Sequence, residues 1–340
     1  MSSWRNEKNW AKTQERCGAR LNDGCFVVFI GIMARNPRYL PSPGALVEIT
    51  QRTIQGRFLL KPSRRLNAVV AGCFARAQKN TGATVHAVAV LSNHFHLLAS
   101  FDSVEQMASF ACQLKTNLSK EIGRLHDWEG SLFAGRYRSV PVSDEPEIQL
   151  QRLRYVLSQG AKEGLVLSPK DWPGVHCAGA LANDQPLAGI WIDRTSLYRA
   201  RQRDGDATEA SFTEETELRL APLPCLQELP AVEQRSVVLN VIAAIEAETL
   251  ERHQEHGTVP LGIDLILSQD PHTRSTRLRA SPRPYFHASR RVFAVLMEGF
   301  REFISSYRIA AARLKSGDLT ASFPGNCFPP RSPFVAAVSS

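Results

Sequence analysis

The pattern of apolar and polar positions predicts an α+β fold from residue 44 onward. Short segments that are rich in β-branched residues, or that alternate apolar and polar side chains, predict four strands. These segments are residues 45–50, 84–91, 94–101 and 137–142. Only Ser92 and Asn93 separate the second segment from the third, which predicts a tight turn between these two strands.

Two longer segments repeat apolar residues at the spacing of an amphipathic helix. Residues 63–81 separate the first strand from the second, and residues 103–125 separate the third from the fourth. The resulting order, β-α-β-β-α-β, is typical of the ferredoxin-like fold, in which the first and third strands are central and adjacent. We therefore expect the third strand, residues 94–101, to lie in the middle of the sheet.

A further helix is expected after the fourth strand. Ser143 or Asp144 would cap its N-terminus, and Pro146 would lie in its first turn. Its apolar residues form one packing face, which leaves Tyr155 and Gln159 four residues apart on a different face.

Changes in composition along the chain suggest four parts. Residues 1–43 are basic and weakly periodic, and we interpret them as an N-terminal extension. Residues 44–200 hold the ferredoxin-like pattern and are the expected catalytic domain. Residues 201–226 are polar and then contain proline, which favours a linker, and the long amphipathic patterns in residues 227–340 predict a mainly helical accessory region.

The charge of the chain is uneven, which bears on its partner. Lys and Arg number 41 against 33 Asp and Glu, and residues 1–143 hold 19 of the basic residues against 9 of the acidic ones. This surplus in the N-terminal half favours a polyanion as partner, although a solvated basic surface would account for it as well.

The cysteines and the apolar runs indicate the compartment. Seven cysteines are scattered without a CxxC pair, which is typical of free thiols in a reducing cytoplasm. The N-terminus lacks the pattern of a signal peptide. The longest apolar run, residues 25–34, is about half of the roughly 20 residues that a bilayer requires. We expect a cytoplasmic protein with no membrane partner.

The most informative residues are His94 and His96, which flank Phe95 at the start of the third strand. Side chains at i and i+2 of a strand point to the same face, so both imidazoles would project together while Phe95 enters the core. Two neutral imidazoles side by side can hold one divalent metal ion. The alternative is that one histidine is hydrogen-bonded within the sheet and the other is exposed.

Gln159 supplies a possible third ligand, because a helix packed over the sheet would bring its amide oxygen and Tyr155 to the histidines. Two nitrogens and one amide oxygen with open positions suit Mg²⁺ or Mn²⁺ better than a structural Zn²⁺. A catalytic zinc ion stays open at this point.

Taken together, these motifs resemble the HUH single-tyrosine transposases of the insertion-sequence-200-like type, close to the REP-associated tyrosine transposases. The resemblance covers about residues 44–180 and is carried by four motifs in order. They are Asn93-His94-Phe95-His96-Leu97-Leu98, then Gly135-Arg136-Tyr137, then Tyr155 with Gln159 four residues on, then Lys162-Glu163-Gly164-Leu165-Val166. One position departs from the family, because many relatives of the REP-associated type carry Asn where this chain has Gln159.

The resemblance implies a mechanism. His94, His96 and a polar residue one turn past the tyrosine, here Gln159, would bind a divalent metal ion that polarises the scissile phosphate of single-stranded or hairpin DNA. Tyr155 would attack that phosphate and form a 5′-phosphotyrosine link, which frees a 3′-OH that can later reverse the reaction. This chemistry is reasonable for a phenol with a pKa of about 10, because nearby positive charge favours the attacking oxyanion. The implied function is DNA transposition.

Four basic residues bracket this site in the sequence and could contact the DNA backbone, with a solvated surface as the alternative. They are Arg136, Arg138, Arg152 and Lys162.

Two other functions stay open from the sequence. One is a domesticated descendant without catalysis that binds structured DNA or RNA through the same surface. The other is a zinc hydrolase, which would need a third His, Cys or carboxylate near His94 and His96. The sequence also leaves open the DNA target, whether the chain is a monomer or a homodimer, and whether Tyr155 acts within its own subunit.

Overall fold

The four expected strands form one antiparallel sheet. In the computed structural model, which describes residues 37–275 and 284–330, the strands are β1 (Ala45–Arg52), β2 (Thr84–Leu91), β3 (His94–Phe101) and β4 (Arg138–Pro141). Their order is β2-β3-β1-β4, and every neighbouring pair is antiparallel. With α1 (Arg64–Thr81) after β1 and α2 (Val104–His126) after β3, the predicted ferredoxin-like fold is confirmed. The histidine pair lies on a central strand.

Helices α1 and α2 pack side by side on one face of this sheet. Each begins at a serine, Ser63 or Ser103, whose hydroxyl accepts a hydrogen bond from the first turn of the helix. The ring of Phe74 on α1 packs against Phe95, with ring centroids 5.5 Å apart, and α2 packs against β3 in the same way. Because Phe95 faces these helices, the alternate residues of β3, including both histidines, face the other side.

That other side is covered by α3 (Pro146–Leu157), which contacts β2 and β3. Pro146 begins the helix as predicted, but the prediction of its cap is wrong, because the capping position is Glu145. The Ser143 hydroxyl donates to the Glu145 carboxylate (2.7 Å) instead of accepting from the helix, and no side chain caps this end. The helix also ends at Leu157, two residues before Gln159, which the sequence pattern places on it.

The chain then adds a second, two-stranded sheet on the outside of α1. After α4 (Cys177–Asn183), strand β5 (Leu187–Ile192), α5 (Arg194–Arg203) and β6 (Thr213–Leu218) follow, and β5 and β6 pair antiparallel. Gly189 of β5 lies so close to Gly72 of α1 that a Cβ on either residue would overlap the backbone of the other segment. The expectation that residues 201–226 form a linker differs from the structure, because they contain strand β6. The sequence of β6 is polar, so the strand is recognisable only from its pairing with β5.

The last third of the described chain is mainly helical, as predicted, with α6 (Ala231–His256), α7 (Ile263–Ser268) and α8 (Arg290–Lys315). Helix α6 packs on α3 and α4. An apolar face of α8 forms a separate core with Tyr39 and Phe286. Most of the N-terminal extension lies outside the described residues. Within residues 37–275 and 284–330, no helix combines the length and apolar character that crossing a membrane requires.

Candidate active site

The two histidines of β3 lie side by side on the face covered by α3. The centroids of the His94 and His96 rings are 5.2 Å apart. His94 Nδ1 lies 2.6 Å from the Asn93 side-chain oxygen, and His96 Nδ1 lies 2.9 Å from Glu48 Oε1. Both oxygens can only accept, so each Nδ1 carries a proton, and in the neutral form of each ring the lone pair is on Nε2. The residues around the pair thus select the tautomer that binds a metal ion through Nε2.

The protonation state of His94 also favours binding of a metal ion. Burial among protein atoms lowers the pKa of His94 well below its ordinary value, and the neighbouring charges of His96, Arg52 and Lys162 lower it further. The Gln159 side chain acts in the opposite direction and is outweighed. His94 is therefore neutral at neutral pH, and the neutral imidazole is the form that ligates a metal.

Tyr155 lies on α3 directly over the histidines. Its ring centroid is 5.2 Å from that of His96, at an interplanar angle of 78°. The guanidinium of Arg152 lies 4.1 Å from the centre of the Tyr155 ring, and the Lys162 ammonium lies 3.6 Å from it. Two cations therefore lie against the ring of one half-buried phenol, in the arrangement of a cation–π contact.

Gln159 lies in the turn that follows α3, where the left-handed conformation of Gly160 (φ +89°) ends the helix. The side chain of Gln159 is fully buried, and its Nε2 donates to the Tyr155 carbonyl (2.9 Å). Within the described residues, its Oε1 is buried and has no hydrogen-bond partner. A buried acceptor without a partner is costly, so this oxygen is a natural position for a ligand or an ion.

The donors in this site fit a divalent metal ion. Two imidazole Nε2 atoms and the unpartnered amide oxygen of Gln159 are a set that suits Mg²⁺ or Mn²⁺. The zinc-hydrolase alternative requires a third His, Cys or carboxylate, and the described part of the chain contains no group of three or more such side chains able to hold a metal ion.

Sequence reasoning missed Glu48, whose carboxylate contacts three basic side chains at the site. This carboxylate of β1 is only 4% exposed and accepts hydrogen bonds from His96, Arg152 and His287. Burial alone would raise the pKa of Glu48, but the hydrogen bonds from His287 and His96 and the charge of Arg152 outweigh it and hold the pKa well below its ordinary value. The available signal was one acid in an otherwise apolar strand, Ala45-Leu46-Val47-Glu48-Ile49.

Comparison with known proteins identifies the region that carries this site. The sequence model of a family described as "Transposase IS200 like" matches residues 59–159. That range contains both histidines and Tyr155 and ends at Gln159. Residues 59–159 are therefore similar to the IS200-like transposases.

Solved structures similar to this chain are distant. One is a REP-associated tyrosine transposase bound to a REP hairpin, which is 16% identical, with a TM-score of 0.36 and coverage of 42% of this chain and 81% of that one. Another is a candidate transposase from Deinococcus radiodurans R1, also 16% identical, with a TM-score of 0.26 and coverage of 36% and 95%. Both TM-scores are low, so the fold assignment rests on the strand order of this chain. No curated protein matches the sequence.

The four predicted DNA-binding residues occupy different surroundings. Arg136 is exposed in the turn before β4, and Arg138 is half-buried on β4 itself. Lys162 lies over Tyr155 and 3.5 Å from Glu163. Arg152 differs from the others, because its side chain is mostly buried and forms an ion pair with Glu48 at 2.8 Å. The buried ion pair with Glu48 thus fixes the position of the Arg152 side chain.

Proposed function

We propose that this chain is a transposase that cleaves and rejoins single-stranded or hairpin DNA, with Tyr155 as the nucleophile. The observation that carries the proposal is the packing of Tyr155 on His96, with ring centroids 5.2 Å apart, beside the neutral His94. A structural tyrosine has no need of two histidines oriented through Nδ1, a buried amide oxygen without a partner in the described residues and two adjacent cations.

The proposed reaction is a transesterification at phosphorus. The Tyr155 oxygen attacks the scissile phosphate, the P–O3′ bond breaks, and a 5′-phosphotyrosine bond forms in its place. The phenol loses its proton and the departing 3′ oxygen gains one, so the number of phosphoester bonds is unchanged. Because that bond energy is retained, the freed 3′-OH can attack the phosphotyrosine and reseal the strand without ATP.

His94 Nε2, His96 Nε2 and Gln159 Oε1 are the groups proposed to hold Mg²⁺ or Mn²⁺. A divalent ion at this position would polarise the phosphate and stabilise the charge that builds on its oxygens. The protein's own contribution is to keep His94 neutral, to orient both imidazoles through Nδ1 and to hold the Tyr155 ring against them.

Positive charge around Tyr155 is proposed to hold the DNA strand. Lys162 and Arg138 flank the site, and the exposed Arg136 would extend the contact along the backbone. Arg152 has a different proposed role, because its ion pair with Glu48 fixes it beside the Tyr155 ring, where its charge acts on the phenol oxygen.

The test is trapping of the covalent intermediate. Wild-type protein is incubated with end-labelled single-stranded hairpin DNA and Mn²⁺, and the products are separated on a denaturing gel. We expect a slow-migrating adduct that Tyr155→Phe abolishes and that EDTA prevents. Tyr198→Phe, at a tyrosine that is 66% exposed on α5, is the matched control and should retain the adduct.

Two results would contradict the proposal. An adduct that persists in Tyr155→Phe would exclude Tyr155 as the nucleophile. Binding of hairpin DNA without any adduct, across a broad library of substrates, would support the alternative of a nucleic-acid-binding protein without catalysis.

A further inference from the structure

The carboxylate of Glu48 joins three basic side chains that come from three separate parts of the fold. Its Oε1 accepts from His96 on β3 at 2.9 Å. Its Oε2 accepts from Arg152 on α3, through Nε at 3.0 Å and through a terminal nitrogen at 2.8 Å, and from His287 Nε2 at 3.0 Å. One oxygen therefore accepts from His96, while the other accepts from three nitrogens of two residues, Arg152 and His287.

We propose that Glu48 is a positioning residue for the metal ligand His96, and that His287 holds Glu48 in place. The C-terminal region would thereby complete a site whose reacting groups all lie within the transposase domain. This inference rests on the proposed function, because it assigns His96 to the metal.

The sheet geometry explains why Glu48 reaches His96. Glu48 pairs with Leu98 in the register between β1 and β3, and His96 pairs with Thr50. Glu48 and His96 are thus diagonal neighbours on the same face of two adjacent strands, a separation that long side chains can bridge. A carboxylate that accepts from Nδ1 of a ligating histidine fixes the ring orientation and increases the basicity of Nε2.

His287 is brought to Glu48 by backbone pairing at the end of β4. Its N–H donates to the Pro141 carbonyl and its carbonyl accepts from the Ser143 N–H, at 2.9 and 2.8 Å. The residue before it, Phe286, is only 1% exposed and packs in the aromatic core of α8. The His287 side chain is 12% exposed. The backbone hydrogen bonds of its segment fix its position beside Glu48.

Through Arg152, the Glu48 carboxylate also affects the surroundings of Tyr155, the proposed nucleophile. Arg152, held by Glu48 Oε2, lies 4.1 Å from the centre of the Tyr155 ring. A displacement of the Glu48 carboxylate would alter both a metal ligand and the charge beside the phenol. An ion cluster that only stabilised the fold would have no such effect on metal affinity.

The experiment measures Mn²⁺ affinity of the full-length chain by isothermal titration calorimetry, with the thermal unfolding midpoint recorded for every variant. We expect about tenfold weaker binding for His287→Ala and about ten- to hundredfold weaker binding for Glu48→Gln. His287→Gln places an amide donor at a similar reach and should restore affinity to near the wild-type value. The matched controls are His256→Ala and Glu251→Gln, both at exposed positions of α6, which should bind Mn²⁺ normally.

A second readout separates positioning from structural damage. In the adduct assay, the Mn²⁺ concentration for half-maximal rate should rise about tenfold in His287→Ala, while the rate at saturating Mn²⁺ returns towards that of the wild type. His287→Leu, which keeps the volume of the side chain without a donor, serves if the alanine variant does not fold, and should show the same rise.

The outcomes distinguish this inference from the function on which it rests. If His94→Ala loses Mn²⁺ binding while folded Glu48→Gln and His287→Leu bind it within twofold of the wild type, the inference is wrong and the proposed metal site stands. If the wild type itself binds no Mn²⁺, both are wrong.

Discussion

The two faces of the central strand β3 differ in the kind of residue that they bury. On one face, Phe95 and Phe101 pack against α1 and α2, and their positions follow from apolar periodicity alone. On the other, His94 and His96 lie in a network of polar side chains beneath α3. The first face is an ordinary hydrophobic core. The second buries polar groups that are costly to bury unless they are paired, which is typical of a functional site.

The largest effect on stability is expected at the apolar face. Phe110 of α2 is completely buried against Phe101, so Phe110→Ala should lower the free energy of unfolding by about 3–5 kcal/mol. Urea denaturation measures this loss, and adduct formation per folded molecule should stay within a few fold of the wild type. A loss of activity greater than the loss of folded protein would mean that the two faces are not separable.

At the polar face, a substitution should lower activity much more than stability. His94→Ala should reduce the rate of adduct formation by about a hundredfold, because one metal ligand is lost, while the free energy of unfolding changes by about 1 kcal/mol. Both variants are measured in the same two assays. Phe110→Ala should mainly lower the free energy of unfolding, and His94→Ala should mainly lower the rate of adduct formation. A folded His94→Ala protein with normal activity would remove His94 from the site.

A histidine outside the polar face sharpens the comparison. His176 begins α4, where its Nδ1 accepts from the Ala178 N–H at 3.1 Å, and burial lowers the pKa of His176 from 6.5 to about 4. The unfolded chain binds a proton at this residue between pH 6.5 and 4 and the folded chain does not. The free energy of unfolding should therefore fall as pH drops through this range, by at most about 1.4 kcal/mol per pH unit from this group.

His176→Asn tests this effect, since asparagine keeps a capping oxygen and does not titrate. Urea denaturation at several pH values should give a flatter profile for the variant than for the wild type between pH 6.5 and 4. Parallel profiles would show that folding does not change the proton affinity of His176.

Much of this architecture could be predicted from the sequence, because local patterns determine it. Alternation and helical spacing predict the βαββαβ order, and the i, i+2 spacing predicts that His94 and His96 share a face. Tyr155 lies on the helix that the pattern predicts. These features depend on residues that are close in the chain or on a topology with few alternatives.

The parts that escaped prediction depend on contacts between distant segments. Glu48 and His287 are 239 positions apart, and their meeting depends on how the segment before α8 pairs with the end of β4. Gln159 lies beyond the end of α3 because Gly160 adopts a left-handed conformation, which apolar spacing does not reveal. The polar strand β6 is recognisable only once β5 is beside it.

The most direct test of the central claim is to locate the DNA on the protein. After reaction with hairpin DNA and Mn²⁺, nuclease and trypsin digestion followed by mass spectrometry would identify the modified peptide. The account predicts that residues 155–162, released by cleavage after Arg154 and Lys162, carry a nucleotide phosphate on Tyr155. A nucleotide on any other residue, or its presence on a peptide of the Tyr155→Phe protein, would contradict the account.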